Sequence, residues 1–293
     1  MITQAPPHAF LCTGGLGDMY VRLLKIKESG CPTCDVYYVD ELHTHESAIR
    51  DLFLSQPEIN KVAKGHDFAK NAIEFDHNGG YSESGWVRVD DDYVETCKKE
   101  IQKVYGEKGV SVLDSSISNI STIKKVDLPP WENLYGGEYI AINTGAGNFQ
   151  IHPENEHNIN RRWDFNVLYK LINFIVTNTN FVVILIGQRN SETEKFCSLA
   201  GPRVFNKMDA DIIEQINIMV NAKLNIAFEG INIMVPMSFN KLTIVKNNPP
   251  LFNFYEKKIR YLDEAAYKNL IILDDYTLQD FLPVLRKLKA DTL

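Results

Sequence analysis

The feature that most constrains the fold of this chain is the alternation of short apolar segments with helical patterns. The first apolar segment, His8–Cys12, leads through a glycine-rich turn into a helical pattern over Met19–Glu28, and this order recurs along the chain. Repeated strand–helix–strand units are typical of a parallel sheet covered by helices. The pattern therefore predicts an α/β protein with parallel sheets.

The predicted elements fall into two groups along the chain. The first group has strands at His8–Cys12 and Asp35–Asp40, a short apolar piece at Ile59–Ala63, and helices at Met19–Glu28, Thr44–Leu54 and Asp91–Tyr105. The second group has strands at Tyr139–Asn143, Phe181–Gly187, Leu224–Phe228, Lys241–Val245 and Leu270–Leu273, with helices at Asp164–Thr177, Ser191–Leu199, Asp209–Asn221, Gly230–Phe239 and Thr277–Leu288.

The two groups are separated by a segment that favours neither helix nor strand. Ser115–Gly137 is rich in Ser, Pro and Gly and contains Asp127-Leu128-Pro129-Pro130-Trp131. We therefore predict a Rossmann-like domain over residues 1–125, a linker over 126–137 and a second Rossmann-like domain over 138–276. A C-terminal helix over 277–293 could pack back toward the first domain.

Composition excludes several classes of protein. The 293 residues carry a formal net charge of −7 without a long basic run, which argues against nucleic-acid binding along the whole chain. The longest apolar run, around Phe181–Gly187, is far shorter than the roughly 20 residues that span a membrane. Met1–Phe10 lacks a basic signal-peptide region, and the five cysteines are an odd number, so we expect a reduced, cytoplasmic protein.

The first candidate site is the glycine loop at the first strand–helix junction. Gly14, Gly15 and Gly17 let the backbone turn tightly, and a helix start offers N–H groups to an anion. The loop matches neither the dinucleotide fingerprint nor a P-loop. The alternative interpretation is a tight turn in which Asp18 stabilises the helix start.

The second candidate site follows the predicted strand Tyr139–Asn143. Small residues, with Thr144 and Gly145 next in line, allow a ligand to approach the backbone, and Arg161 and Arg162 open the following helix. Guanidinium groups supply charge-assisted donors that suit a diphosphate. Paired arginines at a helix start are also common on solvated corners.

The third candidate is Phe228-Glu229-Gly230, where a strand meets an apolar helix. A carboxylate at this position can accept hydrogen bonds from a ribose diol. It can equally be a favourable negative charge at a helix N-terminus.

A possible zinc site comes from Cys31, Cys34, His43 and His45, which are all potential ligands. The predicted strand Asp35–Asp40 would carry His43 to the opposite end of the sheet from Cys34. We therefore favour ordinary thiols and expect no metal. His152 and His157, with nearby glutamates, could line a pocket, although a solvated loop fits them better.

Taken together, the three candidate sites resemble those of GT-B glycosyltransferases, and most closely the heptosyltransferase-like family. The glycine turn ending in Gly17-Asp18, the cluster Asn143-Thr144-Gly145, and Arg161-Arg162-Trp163 in place of a Lys-x-Trp motif carry the resemblance, together with the strand end Leu185-Ile186-Gly187 and the block Phe228–Phe239. The departures are Glu229 in place of an aspartate and Met234 in place of a histidine, so the donor sugar stays open.

The resemblance implies two Rossmann-like domains that face a central cleft, the first for the acceptor and the second for a nucleotide-sugar. It implies inverting, metal-independent transfer of a hexosyl or heptosyl group, with no cofactor besides the nucleotide-sugar co-substrate. Asp18 would be the general base, and Thr144, Gly145 and Arg161 would hold the diphosphate. Glu229 would bind the ribose, Gly230 would offer helix N-terminal donors to phosphate, and Gly187 and Gln188 would lie near the base.

Other functions stay open at this stage. One is a nucleotide-binding module that has kept the fold but altered its catalytic residues. Another is an epimerase or a nucleotide-dependent dehydrogenase, because fold alone does not fix function. The acceptor would be a glycan, a lipid-linked sugar or, for a phage or viral enzyme in the host cytoplasm, a modified DNA base that meets a groove formed by Lys98, Lys99, Lys103 and Lys108. The sequence leaves the oligomeric state undetermined.

Overall fold

The computed structural model of the chain describes two compact units. It describes residues 8–39, 46–65, 91–113, 120–122, 124–145, 161–191, 193–247 and 267–290. The first unit comprises Met1–Ser118 and Thr122–Leu128, and the second comprises Asn119–Ser121 and Pro129–Leu293. The last passage of the chain from the first unit to the second is at Leu128–Pro129, inside the segment named above as a linker. The domain boundaries stay a prediction.

The first unit is built on a four-stranded parallel sheet. Its elements are β1 (His8–Thr13), α1 (Leu16–Ser29), β2 (Cys34–Val39), α2 (Glu46–Leu54), β3 (Ile59–Lys64), α3 (Asp91–Tyr105) and β4 (Val110–Leu113). The strand order is β3-β2-β1-β4, so the order along the sheet reverses between β1 and β4.

The second unit is built on a six-stranded parallel sheet. Its elements are β5 (Tyr139–Asn143), α4 (Phe165–Asn178), β6 (Val182–Ile186), β7 (Val204–Asn206), α5 (Ile212–Asn221), β8 (Leu224–Ala227), α6 (Ile231–Ser238), β9 (Thr243–Lys246), β10 (Leu270–Leu273) and α7 (Leu278–Ala290). The strand order is β10-β9-β8-β5-β6-β7. This is the strand order of the dinucleotide-binding fold, with its switch point between β5 and β8.

These two sheets confirm the predicted α/β class and most of the predicted elements. The sequence reading missed β4 and β7, and it was wrong about an α-helix over Ser191–Leu199, where a 3₁₀ helix runs over Glu194–Leu199. Asn190 and Thr193 exchange hydrogen bonds ahead of this 3₁₀ helix. The Thr193 backbone N–H donates to Asn190 Oδ1 (3.0 Å), and the Asn190 N–H donates to Thr193 Oγ1 (2.9 Å).

Buried aromatic side chains anchor the central strands of the second unit from one face of its sheet. Trp163 packs against Phe228, Tyr276 and Phe281, and its indole N–H donates to the carbonyl of Asn143 at 2.7 Å. The Tyr276 hydroxyl donates to the carbonyl of Ala227. Burial raises the pKa of Tyr276, which keeps this hydroxyl protonated and able to donate. The ends of β5 and β8 are therefore held in fixed positions.

A buried lysine ties the end of the connecting segment to the first unit. Lys27, on α1, has a fully buried side chain, and its ammonium contacts Glu58 at 2.7 Å, Asp127 at 2.8 Å and Gln56 at 3.0 Å. Gln56 also accepts a hydrogen bond from the Asp127 backbone N–H at 2.7 Å. The chain is therefore fixed to the first unit up to the residue before Leu128.

Two further observations concern the described part of the chain. All five cysteines, which lie within the described residues, are free thiols. Among the residues described, no helix combines the length and apolarity that a membrane crossing requires.

Candidate functional site

The centre of the candidate site in the second unit is an ion pair between Arg161 and Glu229. The Arg161 Nε donates to Glu229 Oε1, and the two side chains are 17% and 1% exposed. Glu229 follows β8. Arg161 precedes Arg162, which forms an antiparallel bridge with Gly145 just beyond the end of β5. The pair therefore stands at the carboxyl end of the two strands that flank the switch point, where open α/β sheets bind ligands.

Thr144 lies beside this pair, but its hydroxyl is already engaged. Its Oγ1 donates to the carbonyl of Ile186 at 3.0 Å, and its backbone N–H donates to the same carbonyl at 2.9 Å. The residue is 1% exposed. Thr144 thus joins the ends of β5 and β6, and only its oxygen is left to accept a bond from a ligand.

Asn143, the last residue of β5, has a side chain with unused hydrogen-bonding capacity. It is 1% exposed, and within the described part of the chain neither its amide nitrogen nor its amide oxygen has a hydrogen-bond partner. Such groups are rare in folded proteins because an unsatisfied buried amide costs free energy. Its position next to Thr144 concentrates polar groups at the end of β5.

Gly230 is the N-cap residue of α6. Its φ of 110° favours glycine, and it has no side chain of its own to cap the helix. The backbone N–H groups of the first turn are therefore directed toward the same edge of the sheet as Glu229.

The loop after β6 begins at Gly187, which has a φ of 121°. A Cβ atom there would lie 2.9 Å from Thr144 Oγ1 and 3.1 Å from the Asn143 amide nitrogen. Only glycine therefore allows β6 to end this close to β5. Gln188 follows with an exposed side chain.

Gln215, on α5, was missed by the sequence analysis and holds this loop. Its Oε1 accepts from the Gly187 N–H at 3.0 Å, and its Nε2 donates to the Gly187 carbonyl at 3.3 Å. A third bond joins Nε2 to the carbonyl of Ala210 at 2.8 Å. Both backbone groups of Gly187 are thus used within the protein.

In the first unit, Asp18 stands in the first turn of α1. Its Oδ2 accepts from the Gly15 N–H at 3.2 Å, as a helix-capping carboxylate does, and its side chain is 36% exposed. Gly14 has a φ of 104°, and a Cβ there would lie 2.9 Å from Asp18 Oδ2, while Gly17 lies within the first turn. The structure thus places the glycine loop and Asp18 at the carboxyl end of β1, next to the order reversal between β1 and β4.

Arg22 is a second residue that the sequence analysis missed. It is 5% exposed, its Nε donates to the Leu113 carbonyl at 2.8 Å, and one terminal nitrogen donates to Thr13 Oγ1 at 3.1 Å. The other terminal nitrogen lies 3.9 Å from Asp18 Oδ1. Arg22 therefore joins the ends of β1 and β4 and places a positive charge beside the Asp18 carboxylate.

The zinc hypothesis gains no support from the described residues. Within these ranges, no group of three or more His, Cys, Asp or Glu side chains is arranged to hold a metal ion. Cys34 is buried at the start of β2, and burial raises the pKa of its thiol. His43 and His45 lie outside the described residues, as do His152, His157 and most of the long polar segment between β3 and α3.

The lysines proposed for a DNA groove are partly neutralised on α3. Lys98 pairs with Glu95 at 3.1 Å, and Lys103 pairs with Glu100 at 2.5 Å. These pairs lower the net positive charge of the helix face and weaken the case for a nucleic-acid acceptor.

Comparisons with known proteins show which fold this is. Neither protein-family models nor the curated proteins give a match. Among solved structures, the chain is similar to ADP-heptose lps heptosyltransferase II of E. coli, at 13% identity and a TM-score of 0.56, over 98% of this chain and 99% of the other. It is also similar to a glycosyl transferase of family 9 from Veillonella parvula DSM 2008, at 11% identity and a TM-score of 0.52, over 100% and 98% of the two chains.

A third similar structure is a putative UDP-N-acetylglucosamine 2-epimerase from Listeria monocytogenes, at 9% identity and a TM-score of 0.50, over 99% of this chain and 89% of the other. Transferases and an epimerase thus share this architecture, so the activity must be argued from the site. The resemblance to heptosyltransferases inferred from the sequence is confirmed as a likeness of fold.

Proposed function

We propose that this protein is a glycosyltransferase that moves a sugar from a nucleotide diphosphate to an acceptor hydroxyl. The observation that carries the proposal is the Arg161–Glu229 pair at the carboxyl end of β5 and β8, beside the start of α6 at Gly230. A guanidinium at the switch point of a dinucleotide-type sheet supplies charge-assisted donors that suit a diphosphate, and the buried Glu229 carboxylate holds it there.

The donor would bind through its diphosphate and its nucleoside. Arg161 would neutralise the diphosphate through its terminal nitrogens, and the N–H groups of Gly145 and of the α6 start would add neutral donors. Glu229 would act first as the counter-charge that orients Arg161, with the ribose as a second partner. Gln188 would approach the base.

The transfer itself would be an inverting, metal-independent displacement with Asp18 as general base. The acceptor oxygen would form a bond to the anomeric carbon, while the bond from that carbon to the phosphate oxygen breaks. The acceptor proton would pass to the Asp18 carboxylate, and the nucleoside diphosphate would leave with the electron pair of the broken bond. The partial exposure of the Asp18 side chain supports this role, because an acceptor hydroxyl can reach the carboxylate.

The first test is binding of nucleotides by the purified protein. ADP, UDP, GDP, CDP and dTDP, with NAD as a comparison, would each be added in a thermal-shift assay, because a ligand of the native state raises its apparent stability. We expect one nucleoside diphosphate to stand out, with an effect that is lost in Arg161→Met and kept in Arg286→Met, an exposed arginine on α7. A shift with NAD alone, or with no nucleotide, would refute the proposal.

The second test separates catalysis from binding. Nucleotide-sugars that carry the selected base would be supplied with candidate acceptors, and release of the nucleoside diphosphate would be measured. We expect Asp18→Asn to bind the nucleotide normally and to release product at least about a hundredfold more slowly, while Asp51→Asn, an exposed control on α2, stays active. Binding without any turnover in the unmodified protein would identify a nucleotide-binding module instead.

A further inference from the structure

The side chain of Gln215 makes contacts that are unusual for a residue inside a helix. It accepts from the N–H of Gly187 at 3.0 Å and donates to the carbonyl of the same residue at 3.3 Å. A primary amide that pairs with both backbone groups of one residue reproduces the pairing of a neighbouring strand. Gly187 is therefore fixed in position by α5, although the two residues are 28 positions apart.

Hydrogen bonds made by Thr193 fix the residues that follow Gly187. Thr193, which is 2% exposed, donates its hydroxyl hydrogen to the Gln188 carbonyl at 2.8 Å. It also exchanges hydrogen bonds with Asn190. The backbone at Gln188 is thus held by the bonds of Gln215 to Gly187 and by the bond from Thr193, while the Gln188 side chain is exposed.

The exposed side chain of Gln188 has the freedom and the chemistry to bind a ligand at this loop. The Gly187 N–H is used by Gln215, so it cannot donate to a nucleotide, and the Gly187 carbonyl keeps only one lone pair for a further bond. The Gln188 amide can offer both a donor and an acceptor to the edge of a base. The loop begins at the end of β6, which is the neighbour of β5 in the sheet, and the Arg161–Glu229 pair stands at the end of β5 and β8.

We propose that Gln215 is a positioning residue for nucleoside recognition: it fixes Gly187 and so presents the Gln188 side chain to the base. This inference rests on the function proposed above. A loop that is ordered before binding loses less conformational entropy when the ligand arrives. The hydrogen bonds of Gln215 therefore contribute to affinity although Gln215 does not contact the ligand.

The test compares a nucleoside diphosphate with pyrophosphate, which has the charge but lacks the nucleoside. Gln215→Met keeps the length of the side chain and removes its hydrogen bonds. We expect it to weaken binding of the best nucleoside diphosphate by roughly tenfold, the loss of about one or two ordinary hydrogen bonds. Discrimination between bases should fall with it, while the Kd for pyrophosphate stays unchanged, all measured by calorimetry.

The control is Asn221→Leu at the end of α5, which removes the amide bond to the Asn217 carbonyl (2.9 Å) and should change neither Kd. Should Gln215→Met not give folded protein, Gln215→Leu removes the same hydrogen bonds without adding a charge, and it should show the same selective loss. Either variant overturns the inference if it binds both ligands as the unmodified protein does, or if it weakens both equally. If the unmodified protein binds no nucleotide, the proposed function itself fails, and the inference fails with it.

Discussion

The Arg161–Glu229 pair allows a sharp prediction because its two side chains are buried to different extents. Glu229 is 1% exposed, whereas Arg161 is 17% exposed. Arg161→Met takes the guanidinium away from a buried carboxylate, which costs about 3 kcal/mol of unfolding free energy. Glu229→Gln leaves a cation that reaches solvent and an amide that can still accept its bond, so we expect a loss of about 1 kcal/mol.

The double variant decides whether the pair acts as a unit. With both charges gone, no buried carboxylate is left without its guanidinium, and we expect a total loss of about 2 kcal/mol instead of the sum of the single losses, about 4 kcal/mol. The measurement is urea unfolding followed by circular dichroism, with Arg286→Met as the control for loss of a surface charge. Single effects that are equal, or that add within about 0.5 kcal/mol, would refute the reasoning.

The same variants separate two roles for Glu229 in binding. If Glu229 mainly orients Arg161, Glu229→Gln weakens binding of pyrophosphate and of a nucleoside diphosphate to a similar extent, by a few-fold. If its main partner is the ribose, only nucleoside diphosphate binding suffers. We expect the first result, because Arg161 already occupies one carboxylate oxygen.

Three further predictions concern stability and reactivity. Gly187→Ala should cost about 2 kcal/mol of unfolding free energy because a Cβ conflicts with both its φ and its neighbours, whereas Gly137→Ala, with open space around it, should have almost no effect in the same urea assay. Lys27→Met should cost about 3 kcal/mol because it leaves a buried carboxylate without its ammonium; a loss below 1 kcal/mol would contradict this. In a thiol titration at pH 8, Cys12 should stay unreactive until unfolding, since burial raises its pKa to about 12, while the partly exposed Cys31 reacts.

The sequence predicted the sheet class because buried parallel strands are continuous apolar runs that are easy to see. β5 and β6 are buried along their whole length and were located within a residue of their true ends. The missed strands β4 and β7 have four and three residues. Strands of this length carry too few residues for an alternation or a run to stand out.

The site was predictable in its parts but not in its pairings. Arg161 and Glu229 were each predicted from their residue type and from their position after a predicted strand. They are, however, 68 positions apart in the sequence. Their contact depends on β8 lying next to β5, and the strand order of a sheet is a tertiary property that local patterns do not fix. The engaged hydroxyl of Thr144 depends on β6 in the same way.

Arg22 and Gln215 point to a signal that a sequence does contain. Arg22 stands on the face of α1 that also carries buried Met19, Leu23 and Ile26, at the spacing of one apolar stripe. Gln215 stands in the same relation to buried Ile212, Ile216 and Met219 on α5. A polar residue within such a stripe must find buried partners, because an unpaired polar group there would cost free energy.

The partners that both residues find are backbone groups at the carboxyl ends of strands. Arg22 binds the carbonyl of Leu113, the last residue of β4, and Gln215 binds the N–H and carbonyl of Gly187, the residue after β6. At the carboxyl ends of parallel strands, backbone N–H and C=O groups are no longer paired with a neighbouring strand and need other partners. A helix side chain that binds them therefore fixes the loop that follows. In each unit, therefore, a polar residue on the core-facing stripe of a helix sets the geometry of the edge where we place the chemistry.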